Sequence, residues 1–457
     1  MRRVLAIILF CVSAALRAGD IYVSVDGADG NAGTTTNAPK QHITVGLSSV
    51  SAGSALYIRA GDYTSGETWP LTISTAGTST NYSGLTKVIG CDTNWNPIND
   101  TNVLAWAKPP TNINITWLIS GTAASNFWIQ GVGTDMSLTG AGGSGAGWRV
   151  EHGAHHITWT NFVVKNTPSA HGMLITPSPD PPINAHHVTF THGLIDKAGY
   201  EHAIWDPSGS DDHALYLEAD DFVVDHMRFS NAHSHGVHCF GEASHRGEIR
   251  FSRFDNNGAW QIGLYSGTEF VKIYDKLMVG NGSNVVLRLQ RANTNLFANN
   301  ICYGLASGIL VDEQATVGGS TGNEIANNIF TAFTSTATNN SPINVLDGAT
   351  NTLVRNNLSY SNAYPDEIVT TGSVGTTQSN NKFGDAFNAN FVNAPTDLHP
   401  QNSGDADGNG FDHSADFTTD YDGITWGAVW DIGAYKVSQI PQGSGAVPGY
   451  RGTPGRR

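Results

Sequence analysis

Short runs of alternating apolar and polar residues recur along the chain with the two-residue period of a β-strand. We expect the apolar side chains of each run to point inward and stack on those of the next, while the alternate side chains form columns on an outer face. Seven runs follow this pattern: Gly172–Thr176, Ala214–Glu218, Gly236–Phe240, Gln261–Tyr265, Val286–Gln290, Gly308–Asp312 and Pro342–Leu346.

A polar pair recurs between these runs, and its second member falls at positions 161, 192, 226, 253, 276, 300, 328 and 357. The spacing of 23 to 34 residues suits one coil of a solenoid and is too short for propeller blades. In three coils the pair is Asn-Asn, and asparagine at a repeated turn can adopt left-handed backbone angles and hydrogen-bond from coil to coil. His192 and His226 occupy this position in two other coils, so we interpret them as structural. The pattern predicts an all-β fold, a right-handed parallel β-helix built as a single-stranded solenoid of about 8–11 coils.

The ends of the chain differ from this repeat. Met1-Arg2-Arg3, an apolar run from Val4 to Ala15 and small residues after it predict a signal peptide over 1–18. We expect one β-helix domain over 19–437 and a disordered tail over 438–457, which is rich in Gly, Pro and Arg. The protein is therefore predicted to be secreted, in the periplasm or outside the cell. No later run reaches 18 apolar residues, so we expect no membrane span.

The net charge limits the classes of binding partner, and the cysteine count bears on disulfide formation. The net charge is −15, and loss of Arg2, Arg3 and Arg17 with the signal peptide would make it −18. A nucleic-acid partner needs a basic face and is not expected. A polyanionic substrate is also disfavoured unless a basic patch or Ca²⁺ lies in the cleft. Three cysteines would remain, an odd number that argues against a disulfide scaffold and suits buried apolar positions. We expect a monomer.

The outer columns of the alternating strands carry the candidate chemistry. One column contains Tyr216, His238, Gly263 and Arg288, and the next contains Glu218, Phe240, Tyr265, Gln290 and Asp312. Aromatic rings with polar edges suit stacking on sugars. This wall is the predicted site, although a one-residue slip of register would turn its side chains inward. The candidate catalytic residues are Arg288, His238, His235, Tyr265, Asp211 and Asp212, and the candidate substrate contacts are His213, Tyr216, Glu218, Trp260, Gln290 and Asp312.

Histidine is abundant, with 17 in the chain. The pairs His155-His156 and His186-His187 are interpreted as turn-capping residues at coil corners that precede strands. A zinc site from His233, His235 and His238 is an alternative, although no clear carboxylate or cysteine completes it.

Both ends of the predicted domain resemble secreted pectate-lyase-like β-helix proteins. Ile21–Thr34, Ala38-Pro39 and Leu56–Tyr63 resemble the N-terminal cap region of that superfamily. Thr419–Gly423 and Asp431–Tyr435 resemble its C-terminal coil. The resemblance implies a polysaccharide partner but specifies no reaction, because this fold carries many functions.

A local resemblance to pectate lyases implies β-elimination on a uronate-containing glycan. Phe222–Ser230, with its Asp225-His226 pair, resembles a lyase strand, and Arg288–Arg291 followed by Asn299-Asn300 resembles the Arg-rich strand of that family. Arg288 is then the candidate base or carboxylate clamp. The acidic Ca²⁺ ligands of the family are replaced by His235-Gly-Val-His238. Because arginine is a reluctant base, His238 or Tyr265 are alternatives for proton transfer, with Arg288 as the clamp.

Two other functions stay open. Asp211-Asp212, followed by Ser234-His235-Gly236, resembles the paired Asp and the Gly-His-Gly strand of polygalacturonases, which implies hydrolysis by two carboxyl groups. The Arg-Ile-Lys strand of that family is not matched. A β-helix can also bind glycan without cleaving it, as an adhesin-like surface protein.

A segment near the C-terminus has the spacing of a calcium loop. Oxygen-bearing side chains stand at Asp405, Asp407 and Asn409, a glycine follows, and Asp416 takes position 12. The loop resembles those of dockerin modules, although no helical partner loop follows. Ca²⁺ is therefore the expected cofactor, and a polar surface turn is the alternative.

Overall fold

The computed structural model describes residues 19–437, apart from gaps at 111, 122–123, 138–144, 169, 178–183, 201–211, 242–245, 283, 314–317, 337–340, 365–366 and 403. The predicted signal peptide and tail lie outside the described residues. The chain divides into two compact units, with the boundary after Val237. Among the described residues, no helix has the length and apolar character needed to cross a membrane.

The first unit is a stack of three parallel sheets, each gaining one strand per coil. The first sheet contains Ile21–Val23, Ala55–Ile58, Thr86–Gly90, Ser125–Gln130, His155–Thr160, Ala185–Thr191, Ala219–Asp220 and Val223–Asp225. The second contains Gly61–Tyr63, Ala105–Ala107, Val132–Asp135, Val163–Thr167, Leu194–Ala198 and Arg228–Ser230. The third contains Leu71–Ile73, Ile115–Ser120, Gly145–Glu151, Ala170–Ile175 and Leu215–Leu217.

The second unit repeats the same three-sheet plan. Its first sheet contains Glu248–Arg250, Lys272–Tyr274, Leu296–Ala298, Glu324–Ala326, Leu353–Arg355 and Thr377–Ser379. Its second sheet contains Arg253–Asp255, Leu277–Val279, Ile301–Tyr303, Ile329–Thr331, Leu358–Tyr360 and Lys382–Phe383. The third sheet contains Val237–Phe240, Trp260–Tyr265, Val285–Gln290, Ser307–Asp312, Ile343–Val345 and Ile368–Val369. The fold is the predicted right-handed parallel β-helix, and all seven predicted alternating runs lie on the third sheet.

The two residues of each recurring polar pair have different structural roles. The first asparagine of each Asn-Asn pair, such as Asn299, has left-handed backbone angles at the turn into the second sheet. The second is buried, and its side-chain oxygen accepts the backbone N–H of the preceding coil, as in Asn300 N–H to Asn328 Oδ1 at 3.0 Å. His192 and His226 have left-handed backbone angles like Asn299.

One detail of the predicted repeat is wrong. Positions 161, 192 and 226 align with the first asparagine of the later pairs, not the second. In the next coil the left-handed residue is Phe251, two positions before Arg253. The predicted repeat therefore slipped by one or two residues between early and late coils.

Large aromatic side chains fill the interior of the first unit. Trp117 and Trp148 lie in register on neighbouring strands, and their rings stack with centroids 4.6 Å apart. Trp148 meets Trp159 edge-on at 6.0 Å, and Trp159 stacks on Phe190 at 5.0 Å. Parallel register places equivalent side chains directly above one another, so identical residue types on successive coils stack. Cys91, Cys239 and Cys302 are also buried, as predicted, and burial raises the pKa of each thiol.

The two ends are closed differently. Helix Ile43–Ser49 packs its buried Ile43 and Leu47 on the first coil, and Gly46 lies against Val23 and Leu56 where a Cβ atom would clash. The predicted C-terminal coil is not formed. After the antiparallel pair Phe391–Asn393 and Asp397–Pro400, the described residues up to 437 form no parallel strand and pack on the outside of the second unit. Carbonyls of this segment cap turn asparagines, as at Asn299 Nδ2 to the Gly433 carbonyl at 3.1 Å.

Candidate functional site

The third sheet of the second unit presents the predicted wall with the predicted register. Gly263 pairs with Arg288, and Tyr265 pairs with Gln290, which in turn pairs with Asp312. The residues between them are buried, whereas Arg288, Tyr265, Gln290 and Asp312 are half-buried. The alternation therefore turns Tyr265, Arg288, Gln290 and Asp312 outward, as predicted for these strands. We call Trp260, Tyr265, Arg288 and Asp312 the arginine cluster.

Arg288 is the centre of this cluster. Its Nη2 atom donates to Asp312 Oδ2 at 2.7 Å, and Nε lies 3.4 Å from Oδ1. The guanidinium carbon lies 5.7 Å from the ring centroid of Trp260 and 5.9 Å from that of Tyr265. One edge of the guanidinium is thus held by a carboxylate and its plane is flanked by two aromatic rings, which fixes the orientation of the remaining N–H donors.

The electrostatics of the cluster favour a charged arginine. Burial works against the charge, but the hydrogen bond and the charge of Asp312, together with Tyr265, raise the pKa of Arg288. Burial also raises the pKa of Asp312 by more than the ion pair with Arg288 lowers it. These shifts favour the predicted clamp role of Arg288 over its predicted role as a base.

His238 joins the cluster through Tyr265. The two rings meet nearly edge-to-face with centroids 4.7 Å apart, and His238 also meets Phe240 edge-on at 5.7 Å. Gln290 is turned toward the next coil, where its Nε2 lies 3.4 Å from the Glu313 carbonyl. The structure therefore brings His238, Tyr265, Arg288 and Asp312 together as a contiguous set, with Trp260 beside them.

The predicted histidines of the first unit form a different structure. The backbone N–H of His213 donates to Nδ1 of His171 at 3.1 Å, and that of His235 donates to Nδ1 of His213 at 3.2 Å. Like the asparagines of the second unit, these histidines accept a backbone N–H from a neighbouring coil, but here the donor lies in the next coil and not in the preceding one. His213 has no exposed surface and His235 is 7% exposed, which does not fit the predicted substrate contact of His213. His171, whose pKa burial lowers to about 4, is a member that the sequence did not reveal.

Tyr216 and Glu218 form a pair at the edge of this histidine ladder. The Tyr216 hydroxyl donates to Glu218 Oε1 at 2.6 Å, and burial raises the pKa of Glu218. Tyr216 also packs on the ring of His171, with centroids 5.4 Å apart. A half-buried carboxyl with a raised pKa is typical of acid–base sites and also of structural polar networks.

The residues predicted for hydrolysis are less informative. Asp211 lies outside the described residues. Asp212 is 7% exposed, and its carbonyl accepts the backbone N–H of Ser234 at 3.1 Å. The distance between two catalytic carboxyl groups distinguishes inverting from retaining hydrolysis. Because Asp211 lies outside the described residues, the structure gives no such distance for Asp211 and Asp212.

Two further predicted motifs do not form the sites expected of them. Asp225-His226, from the lyase-like strand, lies on the first sheet, and the His226 ring stacks on His192 with centroids 4.8 Å apart. His233 belongs to no cluster of three metal-ligating side chains within the described part of the chain, so the predicted zinc set of His233, His235 and His238 does not form there.

The predicted calcium ligands bind protein groups instead of converging. Asp405 pairs with Lys382 at 3.1 Å, and Asp416 pairs with Lys272 at 3.1 Å. The Asn409 amide donates to the Asp407 carbonyl at 2.7 Å. In the described ranges no cluster of three metal-ligating side chains includes Asp405, Asp407 or Asp416. Lysine partners compete directly with a cation, so this arrangement does not fit Ca²⁺, whose presence stays a prediction.

Two surface grooves lie on strands of the first sheet, one in each unit. One, of about 400 Å³, is lined by Arg246, Gly247, Glu248, Phe270 and Lys272 in the second unit. The other, of about 330 Å³, lies in the first unit, and its lining includes Tyr82, Trp128, His156 and His187. Neither of these two grooves is lined by a residue of the arginine cluster.

The interpretation of two histidine pairs changes in the structure. His155 and His156 lie within the strand His155–Thr160, and His186 and His187 lie within Ala185–Thr191, so they do not precede strands at corners. Their rings form a bank of four on the outer surface. The sequence signal for this cluster is that a His-His pair occurs at the same position in two successive coils, and turn capping is not the role of these residues.

Comparisons with known proteins place the fold. No family model and no curated protein matches the chain. Solved structures do match. The GH136 lacto-N-biosidase from Eubacterium ramulus is 9% identical with a TM-score of 0.53, over 79% of this chain and 68% of that one. The mannuronan C-5 epimerase A-module from Azotobacter vinelandii is 12% identical with a TM-score of 0.45, over 72% and 88%. Pectate lyase Pel9A is 14% identical with a TM-score of 0.42, over 92% and 96%. At such low identity the likeness extends to architecture alone: this chain has the right-handed parallel β-helix fold.

Proposed function

We propose that this chain is an exported polysaccharide lyase that acts by β-elimination on a uronate-containing glycan. The observation that carries the proposal is the arginine cluster, in which Arg288 is held by Asp312 between the rings of Trp260 and Tyr265. The fold likeness to a lacto-N-biosidase, an enzyme whose name describes action on a glycan, supports the substrate class.

Elimination needs a positive group at the uronate carboxylate. Removal of the proton α to that carboxylate moves charge onto its oxygens, and a fixed cation beside them lowers the barrier. Arg288 offers donors in a fork that matches a carboxylate. The edge facing Asp312 is occupied, so the carboxylate of the substrate would bind the other edge, beside Tyr265.

Proton transfer is assigned to the groups next to that edge. The base removes the α proton, the electron pair forms the double bond, the C4–oxygen bond breaks, and the leaving oxygen takes up a proton. Tyr265 and His238 lie within ring contact of each other and are the candidates for base and acid. Trp260 supplies an apolar face for stacking a sugar ring.

Because the protein has a net negative charge, binding of an anionic glycan depends on positive charge at the site itself. With a net charge of −15, the protein repels a polyanion at long range, and a fixed positive group such as Arg288 at the site offsets that repulsion locally. A substrate in which uronates alternate with neutral sugars is repelled less than a continuous polyuronate. The first substrates to test are therefore mixed glycans that contain uronate.

The test follows absorbance near 235 nm together with reducing ends on a panel of uronate-containing and neutral glycans. Only elimination produces an unsaturated sugar that absorbs there. We expect Arg288→Ala to lower kcat/KM by about 100-fold or more, because a charge interaction in the transition state is lost. Arg253→Ala is the matched control, since Arg253 also pairs with an aspartate, Asp255 at 2.8 Å, but on the second sheet.

Each other outcome counts against the proposal. New reducing ends without absorbance would indicate hydrolysis and bring back Asp211 and Asp212. Equal losses in Arg288→Ala and Arg253→Ala would indicate general damage, not a site. Glycan binding that Trp260→Ala weakens, without any new chain ends, would favour the binding protein.

A further inference from the structure

We propose that His155, His156, His186 and His187 form a binding site for a divalent transition-metal ion, with Zn²⁺ as the probe of choice. The site lies on the first sheet of the first unit, shares no residue with the arginine cluster, and does not depend on the proposed lyase activity. We call these four residues the histidine bank.

Backbone geometry explains why four imidazoles share one face. Successive residues of a regular strand point to opposite faces. His156 and His187 have φ angles of 54° and 53°, in the left-handed region, and this break in alternation lets each adjacent pair face outward. His155 pairs with His186 in parallel register, so the two pairs lie directly above one another.

The rings are close enough to share an ion. His155 stacks on His186 and His156 stacks on His187, each with centroids 4.5 Å apart. One ring nitrogen from each of His155, His156 and His186 lies within 4.8 Å of the others. Ligand nitrogens in a tetrahedral zinc site lie about 3.3 Å apart, given bonds of about 2.0–2.1 Å. Small side-chain rotations therefore bring three ligands onto one ion.

Without an ion, the two histidines of each adjacent pair hydrogen-bond to each other. Nδ1 of His155 lies 2.7 Å from Nδ1 of His156, and Nδ1 of His186 lies 2.8 Å from Nδ1 of His187. Such contacts require a proton on only one nitrogen of each pair. Neutral imidazoles are the form that binds metals.

A carboxylate lies next to the bank on the following strand. Asp220 pairs in register with His186, and its Oδ1 atom is buried without a hydrogen-bond partner in the structure. A buried carboxylate oxygen without a donor is costly unless a cation compensates it. Three imidazoles with a nearby carboxylate suit zinc, copper or nickel, whereas Ca²⁺ and Mg²⁺ take oxygen ligands.

The bank is open to solvent along one side. His156 and His187 line the groove of about 330 Å³ that also contains Tyr82 and Trp128. His187 is exposed and the other three histidines are half-buried. An ion therefore has a path into the site, and a water molecule can complete its coordination.

The chain offers natural substitutions for the test. The preceding strand carries Ser125 and Asn126 at the positions of His155 and His156, and Asn126 also has a left-handed φ of 63°. The variant H155S/H156N thus copies a sequence that this fold already accepts. The matched control is H192N/H226N, which removes another stacked histidine pair from left-handed positions where Asn299 shows that asparagine fits.

The experiment measures Zn²⁺ binding to the full chain by competition with a chromophoric chelator, with far-ultraviolet circular dichroism to verify folding. We expect one Zn²⁺ per chain at the bank, binding at least about 100-fold weaker in H155S/H156N and unchanged in H192N/H226N. Co²⁺ should give the visible absorption of a four-coordinate nitrogen site, and Ca²⁺ should not compete.

Three results would overturn the proposal. These are no Zn²⁺ binding by the wild-type chain, full binding by folded H155S/H156N, and equal loss in the control. Because no readout uses a glycan, failure of the metal site and failure of the lyase are distinguishable.

Discussion

At the scale of single residues, the coil depends on a few backbone positions that most side chains tolerate poorly. Asn299, Asn327 and Asn356 take the left-handed angles, for which asparagine has an unusually low cost. Asn300, Asn328 and Asn357 then satisfy buried backbone groups from one coil to the next. The first asparagine of each pair thus forms the turn, and the second makes the hydrogen bonds between coils.

Replacing Asn328 with Ala should be strongly destabilising. Its side chain accepts from Asn300 and donates to the Phe297 carbonyl at 3.0 Å, and both partners would be left buried without hydrogen bonds. We expect a loss of about 3 kcal/mol in the free energy of unfolding, measured by urea titration. Asn380→Gly, at an exposed left-handed position, should change it by less than about 0.5 kcal/mol. Similar losses in both variants would show that the ladder is not what stabilises the turn.

At the scale of strands, alternation decides which side chains become core and which become surface. Trp148 and Trp128 lie on strands of the same unit, yet Trp148 has no exposed surface while Trp128 is half-buried. The Trp128 indole donates to Gln130 Oε1 at 2.9 Å on the outer face. The same residue type therefore stabilises the interior in one register and lines a groove in the other.

Truncation of Trp148 should lower the free energy of unfolding much more than truncation of Trp128. Trp148→Ala removes the stack with Trp117 and leaves a cavity, so we expect a loss of about 4 kcal/mol in unfolding free energy. Trp128→Ala should cost about 1 kcal/mol or less, because water already reaches its ring. Urea titrations of both variants, followed by circular dichroism, provide the comparison. A larger cost for Trp128→Ala would contradict the assignment of inner and outer faces.

At the scale of the whole chain, the segment after the last coil is held by contacts far away in sequence. Phe417 stacks on Tyr274 with centroids 4.3 Å apart, and Trp426 and Trp430 pack in the same cluster. Ile432 and Ala434 pack against outer side chains that include Ile301 and Ile329. The segment therefore buries apolar side chains on the outer surface of the second unit.

His399 ties two parts of this segment together and makes the stability of the segment depend on pH. Its Nδ1 lies 2.5 Å from Asp397 and its Nε2 lies 2.9 Å from Asp422. Burial opposes protonation, but the hydrogen bonds and charges of Asp422 and Asp397 raise the pKa of His399. A raised folded-state pKa stabilises the fold fully below the unfolded-state value of about 6.5, and the contribution is lost as pH rises through the folded-state pKa.

His399→Gln should therefore cost more stability at low pH than at high pH. We expect the difference from wild type in unfolding free energy to be larger near about pH 5.5 than near about pH 8.5, by about 1 kcal/mol or less because solvent screens the pair. Urea titrations of both proteins at each pH measure it. A difference that does not vary with pH would show that His399 contributes packing alone.

Much of this architecture can be predicted from the amino-acid sequence. Strand alternation and the Asn-Asn spacing are local and periodic, so they determine the coil, the third-sheet strands and the outward direction of Tyr265, Arg288 and Asp312 without knowledge of distant contacts. The repeat slipped near Arg253 because Phe251, an unusual residue for a left-handed turn, hid the position.

What depended on contacts between coils was decided by tertiary structure. Whether a histidine becomes a buried ladder acceptor, like His213, or one ring of a surface bank, like His156, depends on the residue stacked above it in the next coil. The ion pair of Arg288 with Asp312 and the lysine partners of Asp405 and Asp416 are likewise pairings across 23 to 144 residues of chain. A linear pattern states which residues face outward, but only the stacking of coils determines which of them meet.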